Sequence, residues 1–365
     1  MKIIKIDTIT VGLPFINPGP ESSFAIAEKN ILNSLLIKIE TDKGIIGWGE
    51  AFGYTSIETT KAALHTMIIP HLIGKKIESK DDILNINKEL HLKLHIFGRY
   101  GITMFALSGV DIALWDILGK AENSSIAELL GGLKVNYLKA YASLFLYDDA
   151  KATAKVSLKA KNEGYDIIKL HENTMGPIKS SREAIGDTAL MVDVNCVWSE
   201  DHMEEIRNTL TEAKLYWLEE PIWPPENYSG LSKLRDQGFI IASGENACTA
   251  YQFEEMISNN AADILQPSVT KVGGISEIIK IVDLKKNNCR VVPHSPYFGP
   301  GFMATLQVIG ALTPDSEIER LYVDLKADLY NGASNIDSKG NISIPNGPGL
   351  GMEPNLEILE KYSAR

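Results

Sequence analysis

Polar residues recur at a nearly constant interval through the middle of the chain, each just after a short run of β-branched and apolar residues. In chain order they are Lys169, Asp193, Glu219, Glu245, Ser268, His294 and Glu319. Successive members are 23 to 26 residues apart. A strand, a helix and their loops together use about 25 residues, so the interval indicates repeated βα units. If each unit adds a strand to a closed parallel barrel, all of these side chains surround one pocket.

The pattern of apolar and polar residues changes along the chain, and the changes indicate separate domains. Residues 1–55 alternate as a β-meander, and residues 57–130 show helical spacing. Eight strand candidates alternate with helical segments after about residue 138, and Gly164 and Asn288 occupy expected helix C-termini. We therefore predict an N-terminal α+β domain (1–130), a (β/α)8-type barrel (131–325) and a tail (326–365) that packs back on the first domain.

Composition excludes several classes of partner. The 365 residues carry a net charge of −11 without any basic cluster, which disfavours nucleic acid and anionic membranes as partners. Three scattered cysteines are too few for a disulfide framework or a zinc motif. The N-terminus lacks the apolar core of a signal peptide, and no apolar stretch is expected to reach membrane-spanning length, so we expect a cytoplasmic protein.

Three of the recurring residues are carboxylates on successive predicted strands. Asp193, Glu219 and Glu245 would repel one another in one barrel mouth unless a divalent cation neutralised them. A site with only oxygen ligands favours Mg²⁺, with Mn²⁺ as the second choice. Because side chains alternate along a strand, Glu220 is predicted to face the helices and to form a salt bridge there.

The candidate acid–base residues lie on opposite sides of the predicted barrel. Lys169 and His171 are two residues apart, so both point into the pocket, and we expect a depressed pKa for Lys169. His294 follows a strand roughly opposite and completes a pair of groups that flank the pocket. The remaining histidines are predicted to have surface or packing roles; they are His65, His71, His91, His95 and His202.

Five motifs carry a resemblance to a known family. VDVN, WLEEP, SGEN, QPSVTKVGG and VVPHSPYFGPG resemble the enolase superfamily, in its mandelate racemase/muconate lactonizing enzyme branch. Two further segments, GWGEAF and ALSGVDIALWDILGK, resemble its capping domain, so the likeness covers nearly the whole chain. It implies an enolase-like modified TIM barrel under an N-terminal capping domain that the C-terminal tail completes.

The resemblance also implies roles for individual residues. Asp193, Glu219 and Glu245 match the metal ligands, and Asn195 matches an asparagine near the metal. Lys169 and His171 match the second-strand base positions, His294 matches the seventh-strand histidine, and Glu319 matches a glutamate that contacts the substrate carboxylate.

Two positions depart from the family pattern. His171 stands where the family has a second lysine, and Ser268 stands where an aspartate usually orients the seventh-strand histidine. Without that aspartate, His294 loses a partner that would raise its pKa and fix its tautomer. Ser268 is predicted to lie beside the substrate.

The resemblance implies Mg²⁺-dependent removal of the proton α to a carboxylate, through an enediolate, with Lys169 or His171 as the base. Our main prediction is dehydration of a sugar acid to a 2-keto-3-deoxy acid. Alternatives are racemisation, epimerisation or cycloisomerisation, a non-catalytic binding homologue that the change at Ser268 suggests, and a Schiff-base aldolase using Lys169.

Two loops resemble the segments of the capping domain that set specificity. They are Asn17–Ser23 and Ala51–Ser56, and their polar content favours a polar substrate, while Phe24 and Phe52 leave an apolar one open. A homo-oligomer is expected, because closed homo-oligomers are common among enzymes.

Overall fold

The computed structural model describes residues 1–20, 30–284 and 289–364. Part of the predicted specificity loop Asn17–Ser23, together with Phe24 and the predicted helix end at Asn288, lies outside these ranges. Gly164 does follow a helix, with φ of +107°, a left-handed conformation that favours glycine at a helix C-terminus.

The N-terminal part opens with an antiparallel meander, as its alternating sequence predicts. Its strands are β1 (Ile3–Ile16), β2 (Ile31–Thr41) and β3 (Ile46–Ala51), and β2 pairs with both neighbours. The buried members of each strand face the helices that follow. These α-helices are α1 (Ile57–Ala63), α2 (Lys80–Leu94), α3 (Ile102–Ala121) and α4 (Ile126–Leu129).

Helix α3 is the core helix of this domain and corrects one expectation. The prediction that no stretch reaches membrane-spanning length is wrong, because α3 has 20 apolar-rich residues with a mean hydropathy of 1.5. It is nevertheless almost entirely buried within the protein. Its backbone packs directly on β3: a Cβ at Gly49 would lie 1.9 Å from the carbonyl oxygen of Gly109.

A curled sheet of eight parallel strands forms the second part, which confirms the predicted barrel fold. The strands are β4 (Tyr137–Ser143), β5 (Ile167–Leu170), β6 (Ala189–Asp193), β7 (Trp217–Glu219), β8 (Ile241–Ser243), β9 (Ile264–Leu265), β10 (Arg290–Val291) and β11 (Ile318–Leu321). They are hydrogen-bonded in chain order from β4 to β10, and β11 pairs with β4. Side chains such as Tyr141, Met191 and Trp217 fill the interior below the mouth.

Helices alternate with these strands and cover the outside of the sheet. They are α5 (Ala150–Asn162), α6 (Met175–Ile185), α7 (Glu200–Glu212), α8 (Tyr228–Asp236), α9 (Thr249–Ser258), α10 (Ile275–Leu284) and α11 (Pro300–Leu312). Local sequence explains where several of them begin. Asp149 and Ser199, for example, accept hydrogen bonds from the first-turn amides of α5 and α7.

The tail contacts both parts of the molecule. The short strand β12 (Asp324–Leu325) pairs with the end of β1, whereas β13 (Asn341–Ser343) pairs antiparallel with β4 of the barrel. Helix α12 (Leu356–Tyr362) then leads back to β1, where the amide of Ala364 donates to the Thr10 carbonyl at 2.8 Å. The boundaries of the three predicted segments stay predictions.

Buried polar contacts fix the capping domain over the carboxyl ends of the barrel strands. On α3, Asp111 accepts from the Ser276 hydroxyl at 2.6 Å and from the Asn87 amide at 3.0 Å. Glu50 accepts from the amide of Gly301 at 2.9 Å, in the first turn of α11. The amide of Phe52 donates to the Thr270 carbonyl at 3.3 Å, so the Ala51–Ser56 loop lies at the barrel mouth.

Candidate active site

The recurring polar residues meet at the carboxyl end of the barrel, as the interval predicts. Asp193 and Glu219 are register partners at the ends of β6 and β7, and Glu245 follows β8 by two residues. One carboxylate oxygen of each lies within 4.8 Å of the other two. Among the described residues, no other group of three or more potential ligands comes together in this way.

Lys169 lies in the middle of the acidic cluster. Its Nζ is 2.8 Å from Glu219 Oε1, 2.9 Å from Glu319 Oε1 and 3.3 Å from Asp193 Oδ2, and its side chain is fully buried. The prediction of a depressed pKa for Lys169 is wrong. Burial alone lowers the pKa of this ammonium, but the surrounding carboxylates outweigh that effect and hold its pKa well above the usual value.

The acids in the same cluster have opposite pKa shifts. Burial tends to raise the pKa of Asp193, yet Lys169 and His171 together outweigh burial and the pKa falls to about 2. Burial raises the pKa of Glu219 well above its usual range despite the same ammonium, because Asp193 and Glu319 add negative charge nearby. The cluster therefore contains more negative charge than one lysine can balance, which is the condition for binding a cation.

Glu219 and Glu220 point in different directions, and only Glu219 joins the cluster. Glu220 is also buried, but it accepts hydrogen bonds from Ser243 Oγ at 3.0 Å, the Gly244 amide at 2.8 Å and Cys196 Sγ at 2.9 Å. Within the described residues it forms no ion pair, so the predicted salt bridge to a helix is wrong. Neutral donors from the end of β8 and from the loops after β6 and β8 take the place of that salt bridge.

His171 lines the cavity on the Lys169 side. Its Nδ1 makes a short hydrogen bond to the carbonyl oxygen of Leu144, which assigns the proton to Nδ1. Its Nε2 faces Asp193 Oδ2 at 3.3 Å and lies at the edge of the cavity. The ring is therefore oriented by the backbone of the adjacent strand rather than by a second lysine.

His294 lies on the far side of the cavity without the usual carboxylate partner. Its Nε2 is 3.1 Å from Glu245 Oε2, and its Nδ1 has no hydrogen-bond partner in the parts of the chain that the structure describes. Ser268, at the family's aspartate position, is bonded instead to the Tyr297 hydroxyl at 2.5 Å. The Tyr297 ring packs edge-on against the imidazole with centroids 6.0 Å apart. Ser268 thus shapes the site through Tyr297 and does not line the cavity itself.

Glu319 and Asn195 complete the predicted set. Glu319 is buried and accepts from Ser143 Oγ at 2.8 Å and from the Ser295 amide at 2.9 Å. Burial tends to raise the pKa of Glu319, but Lys169, His294 and the Ser295 amide together outweigh burial and hold that pKa at about 2. Asn195 has φ of +46°, and its amide donates to Asp193 Oδ1 at 3.0 Å, so its exposed side chain projects into the cavity.

Several residues that line the cavity were not identified from the sequence, and Lys271 is the one that adds a positive charge to the site. The cavity has a volume of about 290 Å³, and Tyr54, Phe145, Lys271, Pro296 and Leu321 line it beside the predicted residues. Lys271 Nζ donates to Asn246 Oδ1 at 3.1 Å, lies 3.7 Å from Glu245 Oε1 and sits 4.3 Å above the Phe52 ring. The sequence did contain a signal for Lys271: it follows Ser268 by three residues in the motif QPSVTKVGG, which the sequence analysis had already placed at the barrel mouth.

Tyr54 is the contribution of the capping domain to the cavity. It belongs to the predicted specificity loop Ala51–Ser56 and packs on Phe52, with ring centroids 4.3 Å apart. Phe52 instead lies behind the wall, between Tyr54, Phe105 and Lys271. The loop therefore presents a phenol rather than a phenyl ring to a substrate.

Comparison with known proteins agrees with this geometry. Residues 17–131 match the mandelate racemase/muconate lactonizing enzyme N-terminal domain, and residues 151–358 match the enolase C-terminal domain-like family. D-galactarolactone cycloisomerase of Agrobacterium fabrum is 32% identical, and arabinonate dehydratase of Saccharolobus solfataricus is 30% identical, each over 90% of both chains. The crystal structure of 3,6-anhydro-D-galactonate cycloisomerase from Zobellia galactanivorans has a TM-score of 0.84 at 26% identity, and the match covers 100% of both chains.

Proposed function

The chain belongs to the mandelate racemase/muconate lactonizing enzyme branch of the enolase superfamily, and we propose that it dehydrates a sugar acid to a 2-keto-3-deoxy acid. The observation that carries this proposal is the convergence of Asp193, Glu219 and Glu245 beside two groups that flank one cavity. Arabinonate, D-xylonate and D-galactonate dehydratases among the relatives support the substrate class.

The three carboxylates fit a divalent metal ion. All three offer oxygen ligands, they lie within 4.8 Å of one another, and burial keeps them away from bulk water. A hard ion suits such a donor set, so we propose Mg²⁺, with Mn²⁺ as a substitute. When bound, the ion supplies positive charge that holds the substrate carboxylate and stabilises the charge that develops as the α-proton leaves.

His171 is the better placed of the two candidate bases. It lines the cavity, its Nδ1–H is committed to the Leu144 carbonyl, and its Nε2, 3.3 Å from Asp193 Oδ2, is the ring nitrogen at the edge of the cavity. Lys169 is paired with three carboxylates and is fully buried. We assign proton abstraction to His171, and assign Lys169 to charge balance beneath it. Glu319 and Asn195 then contact and orient the substrate.

His294 is placed to complete the elimination from the other side. When the Cα–H electron pair forms the new double bond, the Cβ–O bond breaks, and a proton from His294 converts the departing hydroxide into water. The resulting enol takes up a proton at Cβ, releases the proton of its hydroxyl group, and becomes the 2-keto-3-deoxy acid. This role needs only a proton donor near the leaving group, so the absence of the usual aspartate does not prevent it.

A second candidate is cycloisomerisation, which the cycloisomerase relatives favour. In that reaction the same α-proton is removed, but the leaving group is a ring or ester oxygen of the substrate itself. The ring opens and no water is lost, so product mass distinguishes it from dehydration.

The other sequence-based alternatives are less well supported. A non-catalytic binding homologue does not require three converging acids and a flanking histidine pair. A Schiff-base aldolase requires a neutral lysine amine at the substrate, whereas the carboxylates around Lys169 hold it as an ammonium.

The decisive experiment incubates purified protein with Mg²⁺ in D₂O against sugar acids, sugar diacids and their lactones. Loss of one water with a keto product supports dehydration and identifies the substrate. Ring opening at constant mass supports cycloisomerisation instead. Deuterium at the α-carbon of epimerised substrate, with neither loss of water nor ring opening, would contradict both and indicate racemisation or epimerisation.

A further inference from the structure

The cavity has a charged side and an apolar side, which lie opposite each other. The three proposed ligand carboxylates lie at or just after the ends of β6, β7 and β8, the third, fourth and fifth of the eight barrel strands. On the other side, Phe145 follows β4, Pro296 follows β10 and Leu321 ends β11, which are the first, seventh and eighth strands. In a barrel of eight strands, each strand lies opposite the one four positions further on. The carboxylates therefore face Phe145, Pro296 and Leu321 across the cavity.

Phe145, Pro296 and Leu321 form an apolar wall, which we call the far wall. All three line the cavity, and Phe145 and Leu321 are only 2% and 3% exposed. The Phe145 ring stacks on Phe15 with centroids 5.9 Å apart. Leu321 follows Glu319 by two residues on β11, so both side chains point to the same face and Leu321 lies nearer the opening. A substrate whose carboxylate is held on the charged side therefore contacts the far wall with its other end.

The far wall offers a substrate no lysine or arginine within the part of the chain that the structure describes. Arg320 lies between Glu319 and Leu321, but alternation along β11 turns its side chain away from the cavity. Its guanidinium donates to the backbone carbonyls of Ser334, Leu321 and Val323 at 3.2, 2.7 and 2.7 Å. Glu319 instead adds a negative charge beside the wall. A second substrate carboxylate would be buried there without a cationic partner and close to an anion.

The basic groups that do line the cavity are directed at the charged side. Lys271 follows β9, the neighbour of β8, and its Nζ lies 3.1 Å from Asn246 Oδ1 and 3.7 Å from Glu245 Oε1. The Nε2 of His294 lies 3.1 Å from Glu245 Oε2. Both groups therefore act where the first carboxylate and the α-carbon of the substrate lie, and not at its far end.

Two further polar groups of the cavity suit hydroxyls rather than a charge. Tyr54 lines the cavity from the capping domain with φ of +40°, and Asn195 lines it from the barrel with φ of +46°. Such conformations are uncommon for these residues and persist where the surrounding structure imposes them, often at binding sites. A phenol and an amide can each donate to and accept from a hydroxyl group. The middle of the substrate is therefore expected to carry hydroxyls.

We propose that the substrate is a sugar acid with a single carboxylate, whose far end is uncharged and lies against Phe145, Pro296 and Leu321. A sugar diacid fits poorly, because its second carboxylate would meet the far wall and Glu319. The inference rests on the proposed function, since it takes the metal ion to hold the first carboxylate. It applies to dehydration and to cycloisomerisation alike, because both begin at the same α-carbon.

Matched pairs of substrates test the inference on the wild-type protein with Mg²⁺. Each aldonic acid is compared with the aldaric acid of the same configuration, so that the two differ only in a terminal hydroxymethyl group or carboxylate. For the configuration that the enzyme uses, kcat/KM should be about 10²-fold or more higher for the aldonic acid, because the protein does not compensate the second charge. Calorimetry with the His171→Asn variant, which should bind both acids without turnover, should give the same order of affinities.

A substitution in the far wall should change this preference. Leu321→Lys places a cation there and should reduce the preference for the aldonic acid by about tenfold or more. Leu321→Met is the matched control, because it keeps the wall apolar at a similar volume and should preserve the preference. The comparison on the wild-type protein does not depend on a variant that folds.

The outcomes separate this inference from the proposed function. An aldaric acid that loses water as efficiently as its aldonic partner, or binds as tightly, would overturn the inference and leave the proposed reaction standing. A protein that removes the α-proton from no sugar acid would overturn the proposed function and the inference together. A folded Leu321→Lys variant with an unchanged preference would also contradict the role of the far wall.

Discussion

The seam that α3 forms with β3, the tail and the barrel buries aspartates, and so does the barrel mouth, but the partners of these aspartates differ. In the seam, Asp111 accepts from Asn87, the Ser276 hydroxyl and the Ser276 amide. Asp116 accepts from the amides of Trp48 and Leu350. In the mouth, the carboxylates face one another around Lys169. The seam acids are satisfied by the protein itself, whereas the mouth acids require additional positive charge.

The pKa values of the two regions reflect this difference. Burial dominates in the seam and raises the pKa of Asp111 to about 7 and that of Asp116 to about 6, although neutral donors and Lys120 oppose it. In the mouth, nearby cations hold Asp193 and Glu319 at a pKa of about 2, whereas burial raises the pKa of Glu219 as it does for the seam acids. Burial of an acid therefore does not by itself indicate a functional site. What distinguishes the mouth is buried acids that face each other.

Replacement of a mouth acid should have the largest effect on activity. Glu219→Gln removes one charge of the proposed ligand set and should lower kcat by about 10³-fold or more while weakening Mg²⁺ binding. Steady-state kinetics and calorimetric Mg²⁺ titration measure both. Glu220→Gln is the matched control, because Glu220 is also buried but accepts hydrogen bonds from neutral donors. The activity of this variant should stay within about tenfold of wild type. Equal losses in the two variants would refute the distinction between them.

Replacement of each of the two cavity histidines should impair a different step of the reaction. His171→Asn should lower α-proton exchange with D₂O by about 10²- to 10⁴-fold, the usual contribution of a general base. His294→Asn should keep exchange and lose product formation. Mass spectrometry of substrate and product measures both steps. Exchange that survives in His171→Asn would return the role of base to Lys169.

The seam acids should make the fold less stable as pH rises. Their folded-state pKa values of about 7 and about 6 exceed the ordinary value of 3.8, so the folded protein binds these protons more tightly than the unfolded chain. Their stabilisation is complete below pH 3.8 and is lost as pH rises through 6 to 7, on the order of a few kcal/mol. Urea unfolding across that range measures the slope, which Asp111→Asn should reduce. An unchanged slope would contradict this account of the seam.

Replacement of Lys271 should have the smallest effect on activity among these substitutions. Lys271→Met removes a cation beside Glu245 and the cavity, so KM should rise by about tenfold at saturating Mg²⁺ while kcat changes little. Lys271→Arg keeps the charge and should recover part of the loss. A KM unchanged in Lys271→Met would mean that the lysine only supports Asn246.

The sequence predicted the barrel and the converging acids because both follow from a linear period. An interval of 23 to 26 residues is visible in one dimension, and a parallel barrel converts it into one mouth. The pKa of Lys169 was not predictable, since it depends on three carboxylates from other strands. The partner of Ser268 was equally inaccessible, because Tyr297 comes from the next βα loop.

Other predictions were wrong because they depend on packing between segments that are distant in the sequence. Helix α3 has the composition of a membrane span, and only the surrounding elements show that it is a core helix. The donors to Glu220 include the last residue of β8 and a residue of the loop after β6, which no rule of strand alternation identifies. The ligand set of the mouth, the cytoplasmic location and the domain boundaries stay predictions.

Anomalous diffraction from crystals soaked in Mn²⁺ tests the central claim most directly, because it locates the cation without reference to activity. We predict one strong anomalous peak between Asp193, Glu219 and Glu245, and none beside Asp111 or Asp116. A mouth without a peak, or a peak in the seam, would contradict the claim that facing carboxylates distinguish the metal site from the structural acids.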